Sequence, residues 1–434
     1  MWTDRAMGPA PSAFASLRPR GYGDRATALT WARNLTVGFF LLMLSSALLG
    51  PLGNPDMSQE SPNWLRLIWL PVYVVMLGML LWATPRMLRV WLGALVVMPV
   101  VLWTLMSTSW SLDPAMTQRR AIALVVPTLF ALYLAAQYDW RTLIRYFAWI
   151  SVILAVGSAI VALAAPSIGV DQNIHAGAWK GLFFEKNGAG GFMVRGTLAC
   201  LAAMSISPRH WWFWFGSAVF CSLMVVMSTS TTALLMLLIV WCGAIAIRFM
   251  RQGPAFAVSG LWLMAAAAVV IGVAFAVSPE LFFGLVGKDA TLTGRTRIWQ
   301  AMLRQSELQP WNGYGYGAFW KLRPEGPSAW VQLQADWKVL AADNAWLDML
   351  LQIGRIGIGL FVLTLVFYIP RAIQAAFGKG PEGYWAPLLV VTLLLTSITE
   401  SVLLKQNDLT WVIYVATLAK LLQGPGAEPI EDRT

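Results

Sequence analysis

Residues 291–307, TLTGRTRIWQAMLRQSE, place Arg295, Arg297 and Arg304 within ten positions of one another. Thr293 is placed to cap a helix running from Gly294, which sets Ile298, Trp299, Met302 and Leu303 on one apolar stripe. Arg297 and Arg304 share another face, and Arg295 stands in the first turn. A cation there opposes the helix dipole unless an anion neutralises it. Unpaired backbone N–H groups beside an arginine make a ready phosphate site. The other reading is an interfacial helix whose arginines reach lipid headgroups. The residues themselves leave both open.

Six further stretches carry polar groups. PWNGYGYGAFW (310–320) alternates glycines with Tyr314 and Tyr316, either as aromatic faces for a sugar or as a structural turn at the membrane surface. LFFEKNGAGGFMVRG (182–196) has Lys186 and Asn187 before a glycine-rich helix start, and Arg195 about two turns into an apolar run. Helix packing accounts for such glycines but not for a charge at that depth. STSWSLDPAMTQRR (107–120) ends on Arg119 and Arg120, and STSTT occupies 228–232. AADNAWLDMLLQIG (341–354) contributes Asp343 and Asn344, and TESVLLKQND (399–408) contributes Glu400 and Lys405. Asp343 reads either as a carboxylate for proton transfer or as the N-cap of the helix that follows. The only histidines, His175 and His210, have no cysteine near them, and Cys200, Cys221 and Cys242 lie in apolar runs, so neither a zinc site nor a disulfide framework is expected.

The elements that must position these groups are membrane helices. The 434 residues are 58% hydrophobic and 12% charged, where a soluble protein has about 25% charged residues. The apolar runs are too long for barrel strands, so the expected fold is an all-α polytopic membrane protein. Twelve spans are expected near 32–50, 65–83, 88–106, 119–137, 142–165, 187–206, 210–227, 231–249, 257–278, 345–369, 384–401 and 408–423. Tryptophans at the run ends, Trp31, Trp64, Trp110, Trp140, Trp211, Trp212, Trp385 and Trp411, suit interfacial belts. Short loops bearing Arg86, Arg89, Arg141, Arg145, Arg209, Arg248, Arg251, Arg371 and Lys379 fall on one side, which the positive-inside rule makes cytoplasmic.

Both termini then lie inside, as tails over 1–31 and 424–434. Spans one to nine fill 32–278, and spans ten to twelve fill 345–423. The intervening 279–344 is one long outer loop, too aromatic for disorder, and it contains the helix running from Gly294. All the polar stretches meet at that outer face. The net charge of +10 belongs largely to topology and is no sign of nucleic acid.

In this order, SWSLDPAMTQRRA, FFEKNGAGG, STSTTALL, TGRTRIW, PWNGYGYGAFW, DNAWLDMLLQIGRIG and ESVLLKQNDLTWV resemble the O-antigen ligase and polymerase superfamily, of Wzy_C type, and in particular its ExoQ-like exopolysaccharide-polymerase branch. The resemblance covers roughly residues 100–418. It implies a GT-C-like membrane glycosyltransferase of the bacterial inner membrane, with its active site facing the periplasm. Donor and acceptor would be undecaprenyl-diphosphate-linked oligosaccharides, without a cofactor or metal. Membrane lipids, a chain-length regulator and export machinery are the candidate partners.

The family's Gly-Arg-x-x-x-Trp arginine matches Arg295, which would bind the donor diphosphate. The sequence departs from the ligase pattern at Thr231, where ligases commonly have arginine, and at Asp343, where they have a histidine before the asparagine. Both departures favour polymerase over ligase. Arg295, Asp343, Asn344 and Glu400 are the expected catalytic residues, with Asp336 behind them. Arg119, Arg120, Lys186, Asn187, Arg195, Arg297, Tyr314, Tyr316 and Lys405 are the expected diphosphate- or sugar-binding residues. A ligase, or a transporter of lipid-linked oligosaccharide, is the competing reading.

Overall fold

The computed structural model describes residues 21–47, 63–172, 175–253, 255–260, 262, 295–321, 326–334, 339 and 341–423. Across these it is helical, with one isolated antiparallel bridge between Val170 and Trp179. The main helices are α1 (Gly21–Leu44), α2 (Asn63–Trp82), α3 (Trp91–Met106), α4 (Pro114–Gln137), α5 (Trp140–Ala164), α6 (Lys186–Ile206), α7 (Trp211–Met227) and α8 (Thr231–Met250). They continue with α9 (Arg295–Leu308), α10 (Pro327–Gln332), α11 (Ala345–Phe377), α12 (Glu382–Thr396) and α13 (Leu409–Leu421).

Seven helical stretches among the described residues are long and apolar enough to cross a membrane: Pro85–Ser109, Pro114–Gln137, Trp140–Ala164, Lys186–Ile206, Pro208–Met227, Thr231–Met250 and Ala345–Phe377. Four shorter apolar stretches, Ala28–Leu44, Leu67–Trp82, Glu382–Thr396 and Leu409–Leu421, stand where the remaining described spans were expected. The ninth expected span, 257–278, lies almost wholly outside the described residues. Large apolar side chains such as Leu81, Leu95, Ile160, Leu163 and Val366 are exposed on the bundle surface, as a lipid solvent permits.

The short helices have a physical reason. Every residue of α13 from Leu409 to Lys420 is buried, so this helix is central and not lipid-facing. Its 13 residues rise only about 20 Å, less than the roughly 30 Å of hydrocarbon. Non-helical backbone completes the path over 397–408, and such backbone survives at membrane depth only when protein satisfies it. Pro127 inside α4 has no N–H for the carbonyl of Ala123, four residues back. Asn407 supplies the missing donor, N to O at 3.1 Å.

Trp385 and Trp411, expected at an interface, are instead buried here. Their indoles donate to Thr417 (2.9 Å) and Thr128 (2.8 Å). Exposed Trp31 and Trp212 keep positions that suit the belts.

Candidate functional site

Helix α11 is broken near its start. Gly354 takes φ 68° and ψ −171°, a conformation that L side chains avoid. The break frees carbonyls and N–H groups that a buried chain must pair. The PWNGYGYG loop pairs them. Tyr314 N donates to Leu351 O (2.8 Å) and Gly315 N to Gln352 O (3.0 Å), while Arg355 N donates to Pro310 O (2.9 Å) and Ile356 N to Trp311 O (3.2 Å). The Trp103 indole takes Ile353 O at 3.0 Å, and Gly317 N takes the Gln352 side-chain oxygen at 2.7 Å. Any Cβ at Gly354 would stand 2.1 Å from Trp311 O.

The docked loop gathers the other polar stretches. Leu112 N donates to Tyr314 O (3.0 Å), Trp110 Nε1 to Asn312 O (3.1 Å), Tyr316 N to Ser107 Oγ (3.0 Å) and Arg120 Nη1 to Gly317 O (2.7 Å). Lys321 pairs with Asp113 at 2.5 Å. These bonds tie 107–120 to 310–321. The Tyr316 hydroxyl donates to Leu404 O and lies 3.2 Å from Gln406 Oε1, which brings in 399–408. Thr399 bonds Thr232 at 3.3 Å, and Ser230 bonds Asn187 at 2.9 Å, which add 228–232 and the start of α6. Trp299 Nε1 donates to Ala342 O at 2.9 Å, setting α9 against the turn that carries Asp343. The convergence expected from the sequence is thus a continuous hydrogen-bonded assembly at one end of the bundle.

A small core of its own supports that assembly. Ile298, Ala301 and Met302 of α9 bury against Tyr314, Phe319, Val331, Val339, Ala342 and Leu351. Leu303, expected on the same stripe, is exposed, and Ser306 is buried instead, because the buried face steps 298, 301/302, 305/306. This cap is rich in polar backbone and charge.

Asp348, which the sequence reading passed over, fastens the cap to the bundle. Its carboxylate accepts from Trp320 Nε1 (2.7 Å), Ser401 Oγ and Ala342 N (3.4 Å), joining four segments through one buried side chain. The signal was present in the sequence as a carboxylate inside an apolar helix. Asp348→Ala should cost about 1–3 kcal/mol for each buried donor left unsatisfied. A lowered thermal midpoint together with faster proteolysis within 295–344 checks this, and Asp348→Asn should recover part of the loss.

The predicted site residues divide into groups. Asn187, Arg195 and Glu400 line one narrow cleft of ≈ 20 Å³ with Ser230, Thr232 and Thr396. Arg195 also borders a second cavity with Ser151, Trp385 and Thr410, so its guanidinium lies between two small polar-edged spaces. The close approach of α6 to α8 rests on Gly190, where a Cβ would stand 2.8 Å from Ala233 Cβ. Lys186 opens α6 and is half-buried, whereas Arg119, Arg297 and Lys405 are exposed.

Asp343 takes φ 47°, an uncommon conformation for a residue with a side chain. The N-cap of α11 is its neighbour Asn344, whose Oδ1 accepts from Trp346 N (3.0 Å) and Leu347 N (3.2 Å). The cap role weighed for Asp343 therefore passes to Asn344. Arg295 is the first described residue of α9, and Gly294, where the helix is expected to begin, lies outside the described residues. The Arg295 side chain, Thr293 and Asp336 lie outside what is described.

Arg120, Tyr314 and Tyr316, expected as ligand contacts, are scaffold here. Arg120 holds the Gly317 carbonyl. Tyr314 donates to Gln305 O at 2.8 Å, and Tyr316 is buried on Leu404. Burial also pushes both phenols above their ordinary pKa. Both side chains are buried, while the loop's backbone closes the helix break.

Residues 216–362 match the family described as O-Antigen ligase. The chain is also 28% identical over 274 residues to the exopolysaccharide production protein ExoQ of Rhizobium meliloti (strain 1021), a match that covers 59% of this chain and 60% of that protein. The chain spans about three fifths of the length of that curated relative. Together these matches bear out the resemblance to the O-antigen ligase and polymerase superfamily. Within it, the likeness is to the ExoQ-like proteins.

Proposed function

We propose that this chain is a polymerase of lipid-linked polysaccharide repeat units, of exopolysaccharide or O-antigen type. It transfers the growing glycan from undecaprenyl diphosphate to a new lipid-linked repeat at the periplasmic face. The observation that carries the reading is the cap, where α9 and the Asp343 turn dock together through Trp299 and Ala342 beside segments bearing Arg119, Lys186 and Glu400. The likeness to ExoQ supports it. Twelve spans, a GT-C-like fold and cytoplasmic termini belong to the same proposal.

The reaction is a one-step inverting displacement. The acceptor hydroxyl oxygen attacks C1 of the donor sugar, and the C1–O bond to diphosphate breaks with its electron pair leaving on the lipid diphosphate. Arg295, assisted by Arg297, Arg119 or Lys186, neutralises the developing charge. The hydroxyl proton goes to a carboxylate, Asp343 first and Glu400 next. An aspartate near its reference pKa of about 3.9 is a weak base, so orienting the acceptor is a large part of that role. Asp343→Asn should lower the turnover number more than it raises KM in a chain-lengthening assay. Full turnover in that variant excludes a required base.

The name of the matched family gives a ligase reading a specific footing. Offering purified protein both the lipid-linked repeat and lipid A–core separates the two. A polymerase lengthens the lipid-linked glycan and leaves the core unmodified; glycan on the core overturns the polymerase assignment.

A further inference from the structure

At the end of the bundle away from the cap, α1, α2 and α4 enclose a pocket of ≈ 300 Å³. Its walls include Leu29, Val75, Met79 and Trp82, and its polar groups include Arg33 and Arg86. From Arg120, at the cap, to Gln137, at the pocket, α4 rises roughly 25 Å, so the two sites occupy opposite faces. Arg33 Nε is buried and has no hydrogen-bond acceptor. Its guanidinium lies 5.7 Å from the Tyr138 ring centroid. Arg86 Nη1 donates to Gln137 Oε1 at 2.7 Å, a neutral partner.

Among the described residues no carboxylate forms an ion pair with either arginine. Arg33 and Arg86 both line the cavity, and two guanidiniums on one cavity favour an anion able to accept from both. The apolar walls exclude a bare ion as the natural occupant. Leu29 is 62% exposed and Trp82 85% exposed, so the pocket opens sideways onto the bilayer and has the dimensions of a small-molecule site.

We infer that this pocket binds an anionic phospholipid, with its phosphate between Arg33 and Arg86 and an acyl chain along Val75 and Met79. It is separate from the proposed transfer site and takes no part in the chemistry there. Positive residues at this end are expected from topology alone, but topology does not require an apolar-walled pocket with two of them in its lining.

The test is native mass spectrometry of the delipidated full chain with phosphatidylglycerol or phosphatidylcholine added at equal concentration. The wild type should retain phosphatidylglycerol at least ten-fold better. The R33Q/R86Q double variant should bring the two lipids to parity. Met79→Trp, which keeps both charges but fills the pocket, should lower retention of both lipids and gives a reading even where the double variant aggregates. Equal retention by the wild type, an unchanged preference in R33Q/R86Q, or unchanged retention in Met79→Trp overturns the inference. Millimolar inorganic phosphate should leave the bound lipid in place; full displacement by it shows a site for the anion alone and also overturns it.

Discussion

Replacing Arg295 with alanine should cut chain lengthening at least about 100-fold, the usual loss when one preorganised donor to a developing anion is removed. Insertion and accumulation should stay normal. Diphosphate departs only if the charge arriving on its bridging oxygen is neutralised, and Arg295 stands at the N-terminal end of the described part of α9. Arg295→Lys keeps the charge but loses the two-pronged donor geometry, so partial activity is expected from it. The core face of α9 that holds it in place is Ile298, Ala301 and Met302, which this variant leaves intact, so the loss should come without unfolding. The measurement is the polymer ladder formed by cells that carry the variant, set beside its level in the membrane. A full-length ladder from Arg295→Ala sinks the diphosphate role.

The second large effect is structural. Gly354→Val should abolish docking of the 310–317 loop, because a Cβ there meets Trp311 O at 2.1 Å and φ 68° is closed to a β-branched residue. The helix would then either straighten through position 354 or stay broken without its partners. Each outcome strands the loop donors Tyr314 N and Gly315 N. Protease should cut within 295–344 far faster than in the wild type, while the membrane bundle keeps its helicity by circular dichroism. Chain lengthening should fall to background even though no proposed catalytic residue has changed. A variant with wild-type protease resistance contradicts the role given to the break.

The sequence made the helical segments legible because each carries a sustained apolar run; the ends agree closely for α6 and α8, expected at 187–206 and 231–249 against Lys186–Ile206 and Thr231–Met250, and poorly for α1 and α11, expected at 32–50 and 345–369 against Gly21–Leu44 and Ala345–Phe377. The convergence of the polar stretches was legible too, since each stands at a helix end on the same side. The partner of each backbone group was not. Gly354 sits in QIGRIGIG, where three isoleucines and two other glycines give a break no more local signal than a packing contact does. Tyr314 and Tyr316 looked available because aromatic residues beside glycines suit a ligand as well as a turn, and only the positions of Gln305 and Leu404 decide between them.

The pairing of Asn407 with the Ala123 carbonyl freed by Pro127 spans 284 positions and leaves no periodicity to read. Arg120 illustrates the same gap. Beside Arg119 it reads as one basic pair, yet Arg119 is exposed while Arg120 is taken up by Gly317. Two adjacent residues on a helix point about 100° apart, so a doublet rarely shares one role.

Purified full-length protein, in detergent, supplied with its lipid-linked repeat and nothing else, tests the central claim most directly. The expected result is a series of lengthened lipid-linked glycans with one undecaprenyl diphosphate released for each repeat added. Repeat that remains unlengthened with active, folded protein present, or lengthening without release of the lipid diphosphate, contradicts it.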